Sequence, residues 1–155
     1  MIKHKEALFE IFEADRVNPS GSLYGKCDKI LKSAGVSLPG EVFDFVALGD
    51  FVLEDIVTGD LKDKYVIFYQ DIICGVVVKL KEVEGEVDAE EKAYELARLV
   101  RTLLKGNRKL VSTSYPNGAV TSASLFGTRS EAVVYSDSQA HLAIISVRIR
   151  MKEED

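Results

Sequence analysis

The chain has 155 residues, of which 46% are hydrophobic and 29% are charged, as is typical of one globular domain with a core of its own. Its formal net charge of −5 argues against general nucleic-acid binding, because that function needs a basic face to release counterions. The N-terminal residues carry scattered charges, and no uncharged run is apolar enough to span a bilayer, so we expect neither a secretory signal nor a membrane segment. Cys27 and Cys74 belong to no paired motif and are expected to be reduced and buried in a soluble protein.

Two short helices are predicted near the N-terminus. Apolar residues recur at helical spacing from Lys3 to Ala14, and this helix ends before the turn-forming residues 18–21. A second short helix is an option from Ser22 to Ala34, with Gly35 directly after it. His4 lies on the first helix among lysines, and we expect it to be solvated.

The middle of the chain is predicted to form β structure. The pattern from Val42 to Leu48 favours a strand, whereas the pattern from Phe51 to Val57 does not decide between strand and helix. The strongest β signal runs from Tyr65 to Lys81, which is rich in β-branched and aromatic residues. Gly75 within it indicates a bulge or a bend.

The clearest helix is DAEEKAYELARLVRTLLKG, residues 88–106. Asp88 is predicted to cap its N-terminus, Glu91 to complete a capping box, and Gly106 to end the helix. Its apolar residues form one stripe and its charged residues face away, so we expect this helix to pack one face on a sheet.

Three further strands are predicted, from Ala119 to Leu125, from Glu131 to Tyr135 and from His141 to Met151. In the last of these, one face is apolar throughout, and the other begins apolar and ends with Arg148 and Arg150, as in a strand that leaves the core for a surface. The order of elements predicts a single α+β domain over residues 1–155. We expect a mostly antiparallel sheet, the long helix across one face, and one or two short N-terminal helices.

No residue pattern identifies a catalytic, cofactor-binding or metal site. His141 could form a catalytic dyad with a distant serine, although no nucleophile motif accompanies it. Carboxylates crowd the middle third and could hold Ca²⁺ or Mg²⁺, but they lack an ordered spacing, so a solvated acidic face is favoured. These carboxylates are Asp44, Asp50, Glu54, Asp55, Asp60, Asp63 and Asp71. A small α+β enzyme or ligand-binding domain that uses His141 or this Asp-rich segment is the alternative to a non-enzymatic protein, and a regulatory partner-binding module is a third possibility.

The segment LVSTSYPNGAVTSASLFGT, residues 110–128, contains no charged residue. Residues 115–118 are a turn signal, and strands on both sides of that turn would form a hairpin. The hairpin is either simply exposed or a contact with another protein, since it lacks the charges with which monomers guard sheet edges and carries aromatic residues. The partner contacts predicted on this basis, together with the basic end of the last strand, are Tyr115, Asn117, Thr121, Ser124, Phe126, Arg148 and Arg150.

The second half of the chain resembles the tail-terminator (tail-completion) proteins of long-tailed bacteriophages. The resemblance lies in the order and character of YVIFYQDIICGVVVKL, the helix at 88–106 and the closing HLAIISVRIRM, and the N-terminal KEALFEIFEA also suits that family. It implies a virion protein of the tail, assembled in the host cytoplasm, with no catalytic residue and no cofactor.

The resemblance also implies partners. Such subunits form a hexameric ring that ends the tail tube and meets the head connector, so the expected partners are further copies of the chain, the tube protein and a head-completion protein. No membrane is implied, and DNA would pass through the ring, whose lumen an acidic chain suits.

Overall fold

The computed structural model describes residues 2–33, 44–57, 64–78, 85–134 and 139–152. The elements are α1 (Lys3–Val17), β1 (Lys29–Leu31), β2 (Asp44–Val57), β3 (Lys64–Val78), α2 (Gly85–Lys105), β4 (Ser122–Val134) and β5 (Gln139–Lys152). This order confirms the α+β class. In these ranges, none of the helices combines the length and the apolar character needed to cross a membrane.

The five strands form one mixed sheet in the order β1-β2-β3-β5-β4. β3 lies at its centre and pairs antiparallel with β2 on one side and with β5 on the other, and β4 pairs antiparallel with β5. β1 runs parallel to β2 beside Phe45–Ala47, a pairing that the sequence did not predict. The sheet therefore ends in the short β1 on one side and in the long β4 on the other.

The predicted second helix is wrong over its described part. Residues 22–26 form turns and residues 29–31 form β1. Asp15 Oδ2 accepts a hydrogen bond of 2.7 Å from the Leu23 backbone N–H, and Gly25 has a φ of +71°, which ends any helix there. Leu23 and Ile30 are buried without a helix, because a turn followed by a strand brings them to the core as well.

Strand limits also differ from the prediction. Phe51–Val57 continues β2 after a bulge between Leu48 and Phe51. The two strands predicted on either side of residue 127 are one strand, β4, with a bulge at Phe126. The predicted strand ends Val42, Lys81 and Tyr135 lie outside the described residues.

Both helices pack on the same side of the sheet, which we call the helix face. α2 contacts β3, β5 and β4, and α1 contacts β1 and β2. α2 begins at Gly85, so Asp88 lies inside the helix and the predicted capping box at its N-terminus is wrong. The buried residues of α2 on the helix face are Ala89, Ala93, Leu96, Ala97, Val100 and Leu104.

Gly75 does not mark a bulge, because the pairing of β3 passes through it without a shift on both sides. The ring of Phe45, directly across in β2, lies on Gly75 so closely that a Cβ there would be 2.2 Å from Phe45 Cζ. Phe45 belongs to a second apolar cluster, on the opposite face of the sheet, with Ala47, Ala140, Leu142 and Ile144. The glycine is therefore required by packing and not by a bend.

His4 is buried, contrary to the expectation that it is solvated. Its Nε2 lies 2.9 Å from Oε1 of the buried Gln70 in β3, and its ring contacts Phe51 and Phe68. Gln70 in turn donates to the backbone carbonyls of Gly49 and Asp71. Burial lowers the pKa of His4 from its ordinary value, more than the hydrogen bond to Gln70 raises it.

The expectation of free, buried cysteines is confirmed, since Cys27 and Cys74 are both buried and form no disulfide. Burial raises the pKa of the Cys27 thiol to about 12 and raises the pKa of the fully buried Cys74 thiol as well. Both thiols are therefore protonated and unreactive in the folded chain.

Gly75→Ala is expected to lower the free energy of unfolding by about 1–3 kcal/mol, because the new methyl group overlaps the Phe45 ring. Gly127→Ala is the matched control in the same sheet, where a Cβ meets nothing within 4 Å, and should change stability by less than about 0.5 kcal/mol. Urea unfolding measures both. Equal stabilities for the two variants would refute the packing role of Gly75.

The buried His4 makes stability depend on pH. Because its pKa is lowered in the folded state, the unfolded chain binds its proton more readily, and the free energy of unfolding falls as pH drops below about 6.5. His4→Gln keeps a side chain that can meet Gln70 and should reduce this loss between pH 6.5 and pH 5. Urea unfolding of His141→Gln, measured alongside, separates the contribution of His141 to the pH dependence from that of His4. If the free energy of unfolding of His4→Gln depends on pH as in the wild type, His4 is not the cause of the loss.

Candidate assembly surface

The uncharged segment 110–128 is not a hairpin. Its first part is an irregular loop that leads from α2 to β4, and its second part is the start of β4, which pairs with β5. Residues 107–111 form a turn in which the Asn107 side chain bonds both backbone groups of Val111, and Leu110 is buried at a φ of 53°. The backbone before residue 115 therefore turns away and cannot serve as the predicted first strand.

Hydroxyl groups of this loop bind α1. Glu10 accepts hydrogen bonds from the hydroxyls of Ser112 and Ser114, and Glu6 accepts one of 2.9 Å from the Tyr115 hydroxyl. The bond from Ser114 is the main reason why the pKa of Glu10 is lowered, and the bond to Glu6 raises the pKa of Tyr115. These three side chains therefore form hydrogen bonds within the chain, and these bonds hold the loop against α1.

The predicted turn at residues 115–118 is present. The Gly118 backbone N–H donates to the Tyr115 carbonyl at 3.0 Å, and Gly118 has a φ of +99°. Asn117 and Thr121 are exposed, and the Thr121 N–H donates to the Arg150 carbonyl at 2.9 Å, where the loop joins the sheet. The turn therefore ends beside the basic end of β5.

The opposite face of the sheet carries a row of side chains across four strands, half-buried at Tyr69, Arg148 and Ser124 and exposed at Val52. Val52 of β2 pairs with Tyr69 of β3, Tyr69 with Arg148 of β5, and Arg148 with Ser124 of β4. The bulge residue Phe126 adjoins this row, with its ring centroid 5.6 Å from that of Tyr69. Phe126 is 70% exposed and Val52 is 67% exposed, so two large apolar groups face solvent.

Arginines lie on the same face of the sheet. The Arg150 guanidinium lies 3.9 Å from the centroid of the Tyr65 ring, which is a cation–π contact. Arg129 bonds Asp71 at 3.2 Å, and this bond is the main cause of its raised pKa; Asp71 also accepts a bond from the Ser146 hydroxyl. Exposed aromatic and arginine side chains together are typical of the energetically important part of a protein interface.

We call this surface the arginine–aromatic patch and define it as Val52, Tyr69, Ser124, Phe126, Arg148 and Arg150. Four of the seven predicted contact residues therefore come together in it, at Ser124, Phe126, Arg148 and Arg150. Tyr115, Asn117 and Thr121 lie on the loop instead. Sequence reasoning missed Val52 and Tyr69, because only the pairing of β2 with β3 places them beside Arg148.

Among the described residues, the candidate catalytic residue His141 lies within hydrogen-bonding distance of Ser130. Its Nε2 lies 2.6 Å from the hydroxyl of Ser130, a pair on the helix face at the side where β4 is exposed. Within the described part of the chain its other nitrogen, Nδ1, makes no hydrogen bond, so the orienting third member of a catalytic triad has no counterpart there.

The acidic middle third does not gather into a site in the described ranges. No group of three or more metal-ligating residues occurs there, Asp44 and Asp50 lie at opposite ends of one half of β2, and Asp71 is bound to Arg129 and Ser146. Asp60 and Asp63 fall outside the described residues.

Comparison with known proteins gives a match at the level of structure. No protein-family model matches the chain, and none of the curated proteins matches it. Among solved structures, a chain from the "Virion of native gene transfer agent (GTA) particle" has a TM-score of 0.60 at 16% sequence identity, and the match covers 94% of each chain. At this identity the likeness shows a shared fold.

Proposed function

We propose that this chain is a structural protein of a phage-like virion. The observation that carries the proposal is the fold shared with a chain of a gene transfer agent virion over 94% of both chains, with a TM-score of 0.60. A match over nearly the full length leaves little of either chain outside the common fold. The exposed arginine–aromatic patch supports the proposal, because a particle subunit needs surfaces that bind neighbouring proteins.

More specifically, the chain acts as a tail terminator, a subunit of a homo-hexameric ring that caps the tail tube and joins it to the head connector. The resemblance of the segments 65–80, 88–106 and 141–151 to that family supports this role. The partners are then further copies of the chain, the tube protein and the connector, with DNA passing through an acidic lumen. The role requires no catalysis and no cofactor.

The arginine–aromatic patch is the proposed contact with a neighbouring particle protein, and the exposed loop residues Asn117 and Thr121 flank it. Phe126 and Val52 would be buried on binding, which stabilises the contact through removal of apolar area from water. The arginines beside them can bind carboxylates of a partner in a bidentate manner. The contact is therefore expected to combine an apolar centre with charged surroundings.

Replacing Val52 and Phe126 by Asp should disrupt assembly and leave the fold intact, because both side chains are exposed in the isolated chain. The unfolding free energy should change by less than about 0.5 kcal/mol per site. The yield of complete tailed particles from cells that encode the variant should fall at least about tenfold, as is expected when central contact residues are lost. Electron microscopy of the particles measures the yield.

Tyr24→Asp is the control, since Tyr24 is an exposed aromatic residue on the turn after α1, away from the sheet face. It should leave the particle yield unchanged. Deletion of the whole protein should give separate heads and tubes, with tubes of irregular length. Normal particles after deletion would refute the proposed function, and normal particles from the Val52/Phe126 variant alone would refute the role of the patch.

A further inference from the structure

A groove separates helix α2 from the edge strand β4 on the helix face of the sheet. Its larger part is a cavity of about 340 Å³ with an apolar lining from Leu104, Ala123, Leu125 and Val147. A second cavity of about 170 Å³ continues along α2 towards Thr128, and Lys105 borders both. We call this surface the α2–β4 groove.

The rim of the α2–β4 groove is basic, although the chain as a whole carries a net charge of −5. Arg98, Arg101, Lys105 and Arg108 line its two cavities. Arg98 is paired with Glu95, whereas the other three form no ion pair within the described ranges of the chain. The groove therefore favours an occupant that carries carboxylates.

β4 is the last strand of the sheet and offers an edge beside the groove. At the start of this edge the backbone is already hydrogen-bonded, because the Ala123 N–H donates to the Arg108 carbonyl at 2.7 Å. Beyond this bond, the outer side of β4 pairs with none of the described strands. An open edge next to an apolar groove is the arrangement that receives an added strand, whose backbone pairs with the edge while alternate side chains enter the groove.

The chain itself contains a segment of complementary character at the other end of the sheet. Among the described strands, β1 pairs with β2 beside Phe45–Ala47, and the later part of β2 extends beyond this pairing. There Val52 is 67% exposed on one face and Leu53 is 52% exposed on the other. Asp50 and Glu54, which flank them, are exposed carboxylates.

We infer that the projecting part of β2, Asp50–Glu54, docks into the α2–β4 groove of a second copy of the chain. This inference rests on the proposed ring-forming function and names the contact between neighbouring subunits. The two contact surfaces lie at opposite ends of one sheet, so each copy offers a strand to one neighbour and a groove to the other. Such a head-to-tail contact closes into a ring when the rotation between copies permits. Val52 would then contribute to this contact and Phe126 would remain available to other particle proteins.

A charge exchange tests the contact. The variant Arg101→Glu/Lys105→Glu reverses the charge at these two positions of the groove. The variant Asp50→Lys/Glu54→Lys reverses the charge of the docking strand. Each variant alone should self-associate at least about tenfold more weakly than the wild type, because like charges then face each other. An equimolar mixture should recover assembly, since every groove in an alternating ring then meets a strand of opposite charge. Light scattering after size exclusion measures association, and the control Lys29→Glu, in β1 at the opposite edge of the sheet from the groove, should assemble normally.

If the wild-type protein assembles only on particles, the yield of complete particles measures the same charge exchange. Cells that encode one reversed variant should yield few complete particles, and cells that encode both should recover them. Full yield from either variant alone overturns the inference and leaves the proposed function standing. Loss of yield that the mixture does not repair, with each variant folded by urea unfolding, shows that another protein occupies the groove and also overturns the inference. Normal particles after deletion of the protein refute the proposed function itself.

Discussion

The fold depends on the antiparallel pairing of β3 with β5, which runs without a shift from Tyr65–Lys152 to Val78–Gln139. Because side chains alternate between faces along a strand, this register decides the surroundings of every residue in the central strands. It sends Ile145 and Val147 to the helix face and brings Arg148 and Tyr69 together on the opposite face. A slip of one residue would exchange the core with the arginine–aromatic patch. The core and the candidate contact surface are thus set by one constraint.

The sequence predicted what depends on local pattern and missed what depends on pairing. The periodicity of residues 65–78 predicted a strand, and the structure has β3 there. In contrast, Leu23 and Ile30 suit a helix or a turn followed by a strand, and only the partner Val46 beside Ile30 decides between them. His4 has lysines as sequence neighbours, but it is buried because Gln70, 66 positions away in sequence, supplies its hydrogen bond. The row that links Val52 to Ser124 crosses four strands, so no local pattern contains it.

The uncharged segment shows how a correct observation can support a wrong structure. Its many hydroxyls suggested a ribbon that binds another protein, yet those of Ser112, Ser114 and Tyr115 bond Glu6 and Glu10 of α1. The carboxylates that these hydroxyls bond come from a helix distant in sequence. The segment's most exposed large apolar side chain is Phe126 in β4, whose ring contacts Tyr69 on the face that also carries Arg148. The charge pattern of a surface is therefore a property of the assembled sheet and not of one segment.

The bulges have a consequence for how this fold is recognised in other chains. Between Leu48 and Phe51 two residues stand opposite the single Asp71, so helix-face positions change from even numbers before the bulge to odd numbers after it. A homologous strand with its bulge a few residues earlier or later would show the inverse inside–outside alternation over the intervening residues, although its backbone path is nearly the same. Aligned position by position, the two strands would place buried residues of one against exposed residues of the other. Sequence identity can then fall much faster than structural similarity. A structural superposition would detect the shared fold where a sequence alignment shows no significant match.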